Sequence, residues 1–196
     1  MSRETLDELA RKYGTDKSSK HNYCPIYEER IGHLRDQPCK ILELGVLGGQ
    51  SLLMWYDYFP QARIVGLDQK LIFAPDPVHQ DRIAVVQGDQ ADTGVLRYMQ
   101  LKYGPFDLII DDASHIWDKT IISFETLFPD MNSPGIYVIE DLESSYEPHI
   151  TVYPQYKSGR ISTVDYLKSC VDAVYHSSDG IIKSLHFHRN ICFLVK

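Results

Sequence analysis

The stretch Lys40–Phe59 reads KILELGVLGGQSLLMWYDYF, and its reading decides the fold. It opens with a short apolar run, turns at a cluster of glycines, and continues with apolar residues at helical spacing. "KILELG" (Lys40–Gly45) reads as a buried strand and "QSLLMWYDYF" (Gln50–Phe59) as a helix. The alternation recurs downstream. Strands are predicted at Ala62–Asp68, Arg82–Asp89, Phe106–Asp112 and Gly135–Asp141. Helices are predicted at Thr93–Tyr103, Ile116–Phe128 and Ser162–Tyr175, the second with Ser114 as its N-cap. The chain closes on "IIKSLHFHRNICFLVK", two strands about a His188-Arg189-Asn190 turn. Short apolar strands alternating with helices build a parallel sheet covered on both faces. The expected fold class is α/β: a Rossmann-like, seven-stranded, mostly parallel sheet with helices on both faces and a C-terminal antiparallel hairpin.

The bulk numbers fit one domain spanning 1–196, without internal repeat or linker. Met1–Tyr27 reads as a helix followed by a polar loop, outside the alternation. The chain is 43% hydrophobic and 24% charged, an ordinary globular balance. A net charge of −7 argues against generic nucleic-acid binding, which needs a basic surface. "MSRETLDELARKYG" is polar and mixed in charge, unlike a secretory signal, and no apolar run is long enough to cross a bilayer. Cys24, Cys39, Cys170 and Cys192 form no CxxC pair, so a zinc site is not expected and a reduced, cytoplasmic protein is.

In such a sheet, ligands bind beyond the carboxyl ends of the strands. At the first end, Gly45 allows a tight turn, and Gly48 and Gly49 let a ligand approach the backbone. The following helix offers free N–H groups, with Ser51 in its first turn. The turn is not GxGxxG, because Leu47 stands two after Gly45, and a lone glycine turn is weak evidence. The second end adds Asp68, placed to accept both hydroxyls of a ribose. The third adds Asp89 and Gln90, which could meet an adenine edge or simply sit in a solvated turn. Glu43, beside the glycine turn, would repel a pyrophosphate. It suits a cationic ligand such as the amino group of S-adenosylmethionine.

The fourth and fifth ends are acidic. "IIDDASH" (Ile109–His115) places Asp111 and Asp112 ahead of His115, and "YVIEDLE" (Tyr137–Glu143) ends in Glu140 and Asp141. Carboxylates converging from neighbouring strands cannot all ionise without a cation. Oxygen ligands select a hard ion, magnesium first, with manganese or calcium also compatible. Adjacent strand-end residues point oppositely, so Asp111 is expected to face the nucleoside and Asp112 the metal. His115, read as lying at a helix start, could take a proton from a hydroxyl whose pKa the metal lowers. The plainer reading of DDASH is a helix entry with dipole-favoured acids and a packed histidine. In the loop Glu143–Tyr156, the side chains of Tyr146, His149, Tyr153 and Tyr156 could stack on a sugar or merely pack on the sheet.

Taken together, "YGTDKSSKHNYCPIYE", "ILELGVLGGQS", "GLDQ", "GDQAD", "DDASH" and "IEDL" resemble the class I S-adenosylmethionine-dependent methyltransferases. More closely they resemble the metal-dependent macrolide sugar O-methyltransferases of the mycinamicin type. The resemblance implies an S-adenosylmethionine- and Mg2+-dependent O-methyltransferase acting on a sugar hydroxyl, with Mn2+ as an alternative ion. It implies Asp112, Glu140 and Asp141 as metal ligands and His115 as general base. The donor would be held by Glu43, Gly45, Ser51, Asp68, Gln69, Asp89, Gln90 and Asp111. Tyr13 and Thr15 would belong to a lid within residues 1–30. Enzymes of this type can carry a large additional amino-terminal domain for which 196 residues leave no room, so acceptor identity and oligomeric state do not carry over. Homo-oligomerisation stays open. Competing readings are a catechol-type or other small-molecule O-methyltransferase, a tailoring hydroxylase, a nicotinamide-dependent oxidoreductase and a silent nucleoside-binding module. Glu43 and the missing GxGxxG count against the oxidoreductase.

Overall fold

In a computed structural model, residues 3–159, 161–176 and 180–196 are described; Met1 and Ser2, the start of the expected amino-terminal segment, lie outside the described residues. The predicted units form a seven-stranded sheet in the order β3-β2-β1-β4-β5-β7-β6. The strands are β1 (Lys40–Leu44), β2 (Arg63–Asp68), β3 (Ile83–Gln87), β4 (Leu108–Asp111), β5 (Ile136–Ile139), β6 (Ser184–Phe187) and β7 (Cys192–Val195). The first five run parallel, and β7 is antiparallel to both β5 and β6. The order reverses between β1 and β4, so the connections leaving these paired strands diverge to opposite faces and leave a crevice beyond their carboxyl ends. In that register Leu44 lies level with Leu67 on one side and Asp111 on the other. The acids therefore leave the sheet at the same height as the glycine turn.

Helices cover both faces because the strands are apolar on both. On one face, Ile41, Ile64, Ile110 and Val138 pack with Trp55 and Tyr58 of α4 (Gln50–Tyr58). The same cluster takes in Leu6 and Leu9 of α1 (Leu6–Tyr13) and Tyr27 and Ile31 of α3 (Cys24–Ile31). On the other, Leu42, Leu44, Ile109 and Tyr137 pack with Met99 of α5 (Thr93–Tyr103), Phe124 of α6 (Trp117–Leu127) and Leu167 of α8 (Thr163–His176). Large apolar side chains such as Phe59 and Ile31 are completely buried, and each contributes roughly 1.5–3 kcal/mol by leaving water.

The amino-terminal segment departs from expectation. It forms three helices, with the four-residue α2 (Asp16–Ser19) and α3 where a polar loop is predicted. Two of the starts are capped by side chains: Thr5 and Glu8 form a capping box on α1, and the Thr15 hydroxyl accepts from Lys17 N at 3.3 Å to start α2, whereas α3 has no side-chain cap and begins with a proline in its first turn. A run of three charged residues, Glu28, Glu29 and Arg30, hid α3, whose buried residues Cys24, Tyr27 and Ile31 follow helical spacing. The Glu143–Tyr156 segment is likewise not a plain loop: it contains short helical turns, among them α7 (His149–Val152). The four cysteines are buried and unpaired.

Candidate active site

A cleft of about 700 Å3 opens over the carboxyl ends of β1, β2, β4 and β5. Gly45, Ser51, Asp68, Gln69, Gln90, Asp112, His115 and Asp141, all predicted site residues, line it, as does Thr15 from the amino-terminal segment.

The glycine turn fixes one wall. Gly45 has φ 91°, and a Cβ there would stand 2.2 Å from the Asp112 carbonyl oxygen, so no other residue lets β1 and β4 finish side by side. Gly49 is left-handed at the start of α4 and closes on the Phe73 ring rather than lining the cleft, and Gly48 does not line it either. Asp68, at the end of β2, accepts from Val46 N and Leu47 N, each at 2.9 Å, through Oδ2 and from Lys70 N at 2.9 Å through Oδ1. Partial burial works against its charge, but these backbone donors outweigh it and hold its carboxyl below the ordinary range. The result is a fixed anion at the far end of the cleft, where a ribose is expected.

Four predicted donor contacts, Asp111, Asp89, Tyr13 and Glu43, stand behind the wall, while Gln90 lines it. Asp111 is fully inside the fold, its carboxylate bonded by Gln90 Nε2 at 3.0 Å and Tyr137 Oη at 3.1 Å, and burial pushes its pKa up to about 7. It does not face a nucleoside: the pleat turns it into the core packed by α6, while Asp112 turns to the cleft. Gln90 is committed too, since its Oε1 accepts from Ser114 N at 2.8 Å. Asp89 is engaged by Lys119 Nζ at 2.5 Å and Gln69 Nε2 at 2.6 Å. The Tyr13 hydroxyl donates to Asp57 at 2.5 Å. Glu43 is wholly buried beneath the turn. Neither of its oxygens meets hydrogen-bond geometry, although Ser51 and Trp55 face it. Burial pushes its carboxyl up to about 7, against the pull of Lys17.

Asp112, His115 and Asp141 each bring a ligand atom within 4.8 Å of the others. His115 Nε2 lies 3.6 Å from Asp141 Oδ2. Both His115 (φ 55°) and Asp141 (φ 54°) occupy the left-handed region, a strained conformation for such residues, of a kind that clusters at active sites. His115 therefore precedes α6 rather than opening it. The N-cap is Ile116, without a side-chain cap, while the Ser114 hydroxyl accepts from Ile116 N at 3.3 Å, which corrects the expected Ser114 cap. Of the aromatic candidates after β5, only Tyr156 reaches the cleft, with its ring centroid 6.1 Å from that of His115. The two carboxylates offer oxygen ligands of the kind a hard divalent ion takes, with the imidazole beside them.

Glu140 is not in this group. Its Oε1 accepts from Lys17 Nζ at 2.7 Å and from the Tyr27 hydroxyl, and neither bond uses Oε2. The Lys17 ammonium also donates to Asp112 Oδ2 at 2.6 Å and lies 3.8 Å from Glu43. Burial of Lys17 disfavours its charge, but the three carboxylates outweigh that and raise its pKa well above the lysine norm. Burial raises the Glu140 carboxyl, with Asp112 adding to the shift and Lys17 opposing it. Lys17, Tyr23 and Tyr27 are functional neighbours that sequence reasoning missed. They lie in the stretch YGTDKSSKHNYCPIYE that carries the resemblance, but nothing local marks them individually.

No family model matches the chain. It is similar over 97% of its length to the 8-demethyl-8-alpha-L-rhamnosyl tetracenomycin-C 2'-O-methyltransferase of Streptomyces olivaceus, at 35% identity over 54% of that protein. It is 37% identical over 97% of its length to the mycinamicin VI 2''-O-methyltransferase of Micromonospora griseorubida, covering 52% of it. Among solved structures, the MycE methyltransferase in complex with Mg, SAH and mycinamycin VI matches with a TM-score of 0.84 and 36% identity over 98% of this chain and 54% of that one. The chain thus spans about half the length of the relatives it matches.

Proposed function

We propose that this chain, a relative of the sugar O-methyltransferases of antibiotic pathways, is a single methyltransferase domain over 1–196 that transfers a methyl group from S-adenosylmethionine to a sugar hydroxyl. The acceptor class is a saccharide or glycosylated natural product, and the reaction depends on a divalent ion, Mg2+ or Mn2+. The observation that carries this reading is the Asp112–His115–Asp141 cluster, held within 4.8 Å in the same cleft as the backbone-anchored Asp68. A binding module needs no base beside a metal-type acid group. A dinucleotide enzyme would not bury an acid directly beneath its glycine turn.

The chain's own residues divide the work. Asp68 receives the ribose hydroxyls, and Gly45 lets the donor lie against the backbone. Thr15, Ser51 and Gln69 complete that end, with residues 1–30 serving as amino-terminal helix and lid. Glu43, Asp89 and Asp111 act from behind and Gln90 from the wall itself, orienting Lys17, Gln69 and the Ser114 backbone, and Tyr13 braces α1 through Asp57. Asp112 and Asp141 would hold the ion, with Glu140 as the further carboxylate beside them. Bound there, a divalent ion supplies Lewis acidity that lowers the pKa of a hydroxyl held against it. The His115 imidazole takes the proton from that hydroxyl, and Tyr156 shields the ring from water on its outer side. No helix among the described residues is long and apolar enough to cross a membrane. A cytoplasmic setting fits four unpaired cysteines and an intracellular donor. We further propose no nucleic-acid partner, given the net charge of −7.

The test is methyl transfer from labelled S-adenosylmethionine to a panel of glycosides and catechols, with Mg2+ and with excess EDTA. Glycosides should be methylated in a chelator-sensitive way. Preference for catechols would overturn the acceptor class, and full activity in EDTA would overturn the ion.

A further inference from the structure

Lys17 is only 1% exposed, yet it carries a charge into the most acidic part of the molecule. Its ammonium reaches Asp112 at 2.6 Å, Glu140 at 2.7 Å and Glu43 at 3.8 Å. Among the described residues, no other lysine or arginine pairs with these three or with Asp141, whose ion-pair partners are His21 and His115. The lysine is also fixed at its root. Its carbonyl accepts from Tyr23 N at 2.7 Å, and the Tyr23 hydroxyl donates to Asp141 at 2.9 Å. Tyr27, one turn further on, donates to Glu140. A short run of the amino-terminal segment thus touches every acid at the ends of β4 and β5 that faces the site.

We propose that Lys17 is a positioning residue whose ammonium neutralises and orients the same carboxylates that a divalent ion engages, so that the amino-terminal segment sets how tightly the ion is held. The inference rests on the metal half of the function proposed above. Two cations sharing one set of carboxylates repel each other, and in a buried site that repulsion is poorly screened. Lys17 therefore holds Asp112 and Glu140 in place before the ion arrives, and it keeps ion binding weaker and more exchangeable than the acids alone would make it. Removing the charge leaves carboxylates facing one another, a state that an ion relieves.

The experiment is a titration with Mn2+, following free ion by electron paramagnetic resonance, on the wild type and on Lys17→Met and Lys17→Gln. Loss of the ammonium should tighten Mn2+ binding tenfold or more and increase the rise in melting temperature that the ion produces. Damage to the fold alone would weaken binding, so the direction separates the two. A variant that is unfolded without metal and folds when Mn2+ is added also supports the proposal. A folded variant with unchanged or weaker affinity overturns it, as does one that stays unfolded at saturating Mn2+. If the wild type itself binds no Mn2+, the metal half of the proposed function falls along with this inference. If the wild type binds and the variants match it, this inference alone falls.

Discussion

At the scale of single residues, the site separates groups that act from groups that hold. His115 sits at φ 55° with its ring in the cleft, so a test of its role needs a replacement that tolerates that backbone. Asparagine does, and it lacks the imidazole. His115→Asn should stay folded and bind S-adenosylhomocysteine within a few-fold of wild type, while turnover falls about 100-fold or more. Near-normal turnover would remove it as the base. Asp68 makes a different prediction. Its pKa is lowered in the fold because backbone N–H groups outweigh the opposing effect of burial. A lowered folded value means that the stabilisation is present above the unfolded value, about 3.9, and is lost as pH falls through the folded one. Asp68→Asn should therefore melt below wild type near neutral pH, and the gap should narrow as pH falls below about 3.9, as read by calorimetry. A gap that persists unchanged would mean the anion is not what stabilises the turn.

At the scale of elements, the β1–α4 turn and the end of β4 are built against each other. Gly45→Ala would drive a Cβ to 2.2 Å from the Asp112 carbonyl and force a left-handed alanine. We expect a loss of about 2 kcal/mol or more in unfolding free energy, and a larger proportional loss of donor binding, because the Asp112 backbone must move. Urea unfolding checks the first and calorimetry the second. The strands and the long helices were legible because each carries a local signal: apolar runs ending at glycine or acid for β1 to β5, and helical spacing over Gln50–Tyr58 and Thr93–Tyr103. The pleat's consequence was legible only in part. Alternation implied that Asp111 and Asp112 diverge, but not that Asp111 turns into the core to meet Tyr137 and Gln90. Lys17 was not legible at all. Nothing local marks a lysine in a polar stretch as buried, and its partners lie 95 and 123 residues away in sequence.

At the scale of the whole molecule, the sheet order gathers charges that the sequence keeps far apart. β1, β2, β4 and β5 end together, so Asp68, Asp112 and Asp141 line one cleft about 700 Å3 in volume, and residues 14–20 close it from the amino-terminal side. Because α1 and α3 share one core cluster with the sheet, the amino-terminal segment is continuous with the fold rather than hung from it. Ligand binding should accordingly be felt globally: donor product and Mg2+ together should raise the melting temperature more than either alone, since a ligand that binds only the folded state stabilises it by mass action. The most direct test of the central claim is calorimetric titration of the purified chain with S-adenosylhomocysteine in Mg2+. The account predicts saturable binding, weakened tenfold or more by Asp68→Asn and left nearly intact by His115→Asn. A folded wild-type chain that takes up neither S-adenosylhomocysteine nor S-adenosylmethionine, but binds a nicotinamide dinucleotide, would contradict it.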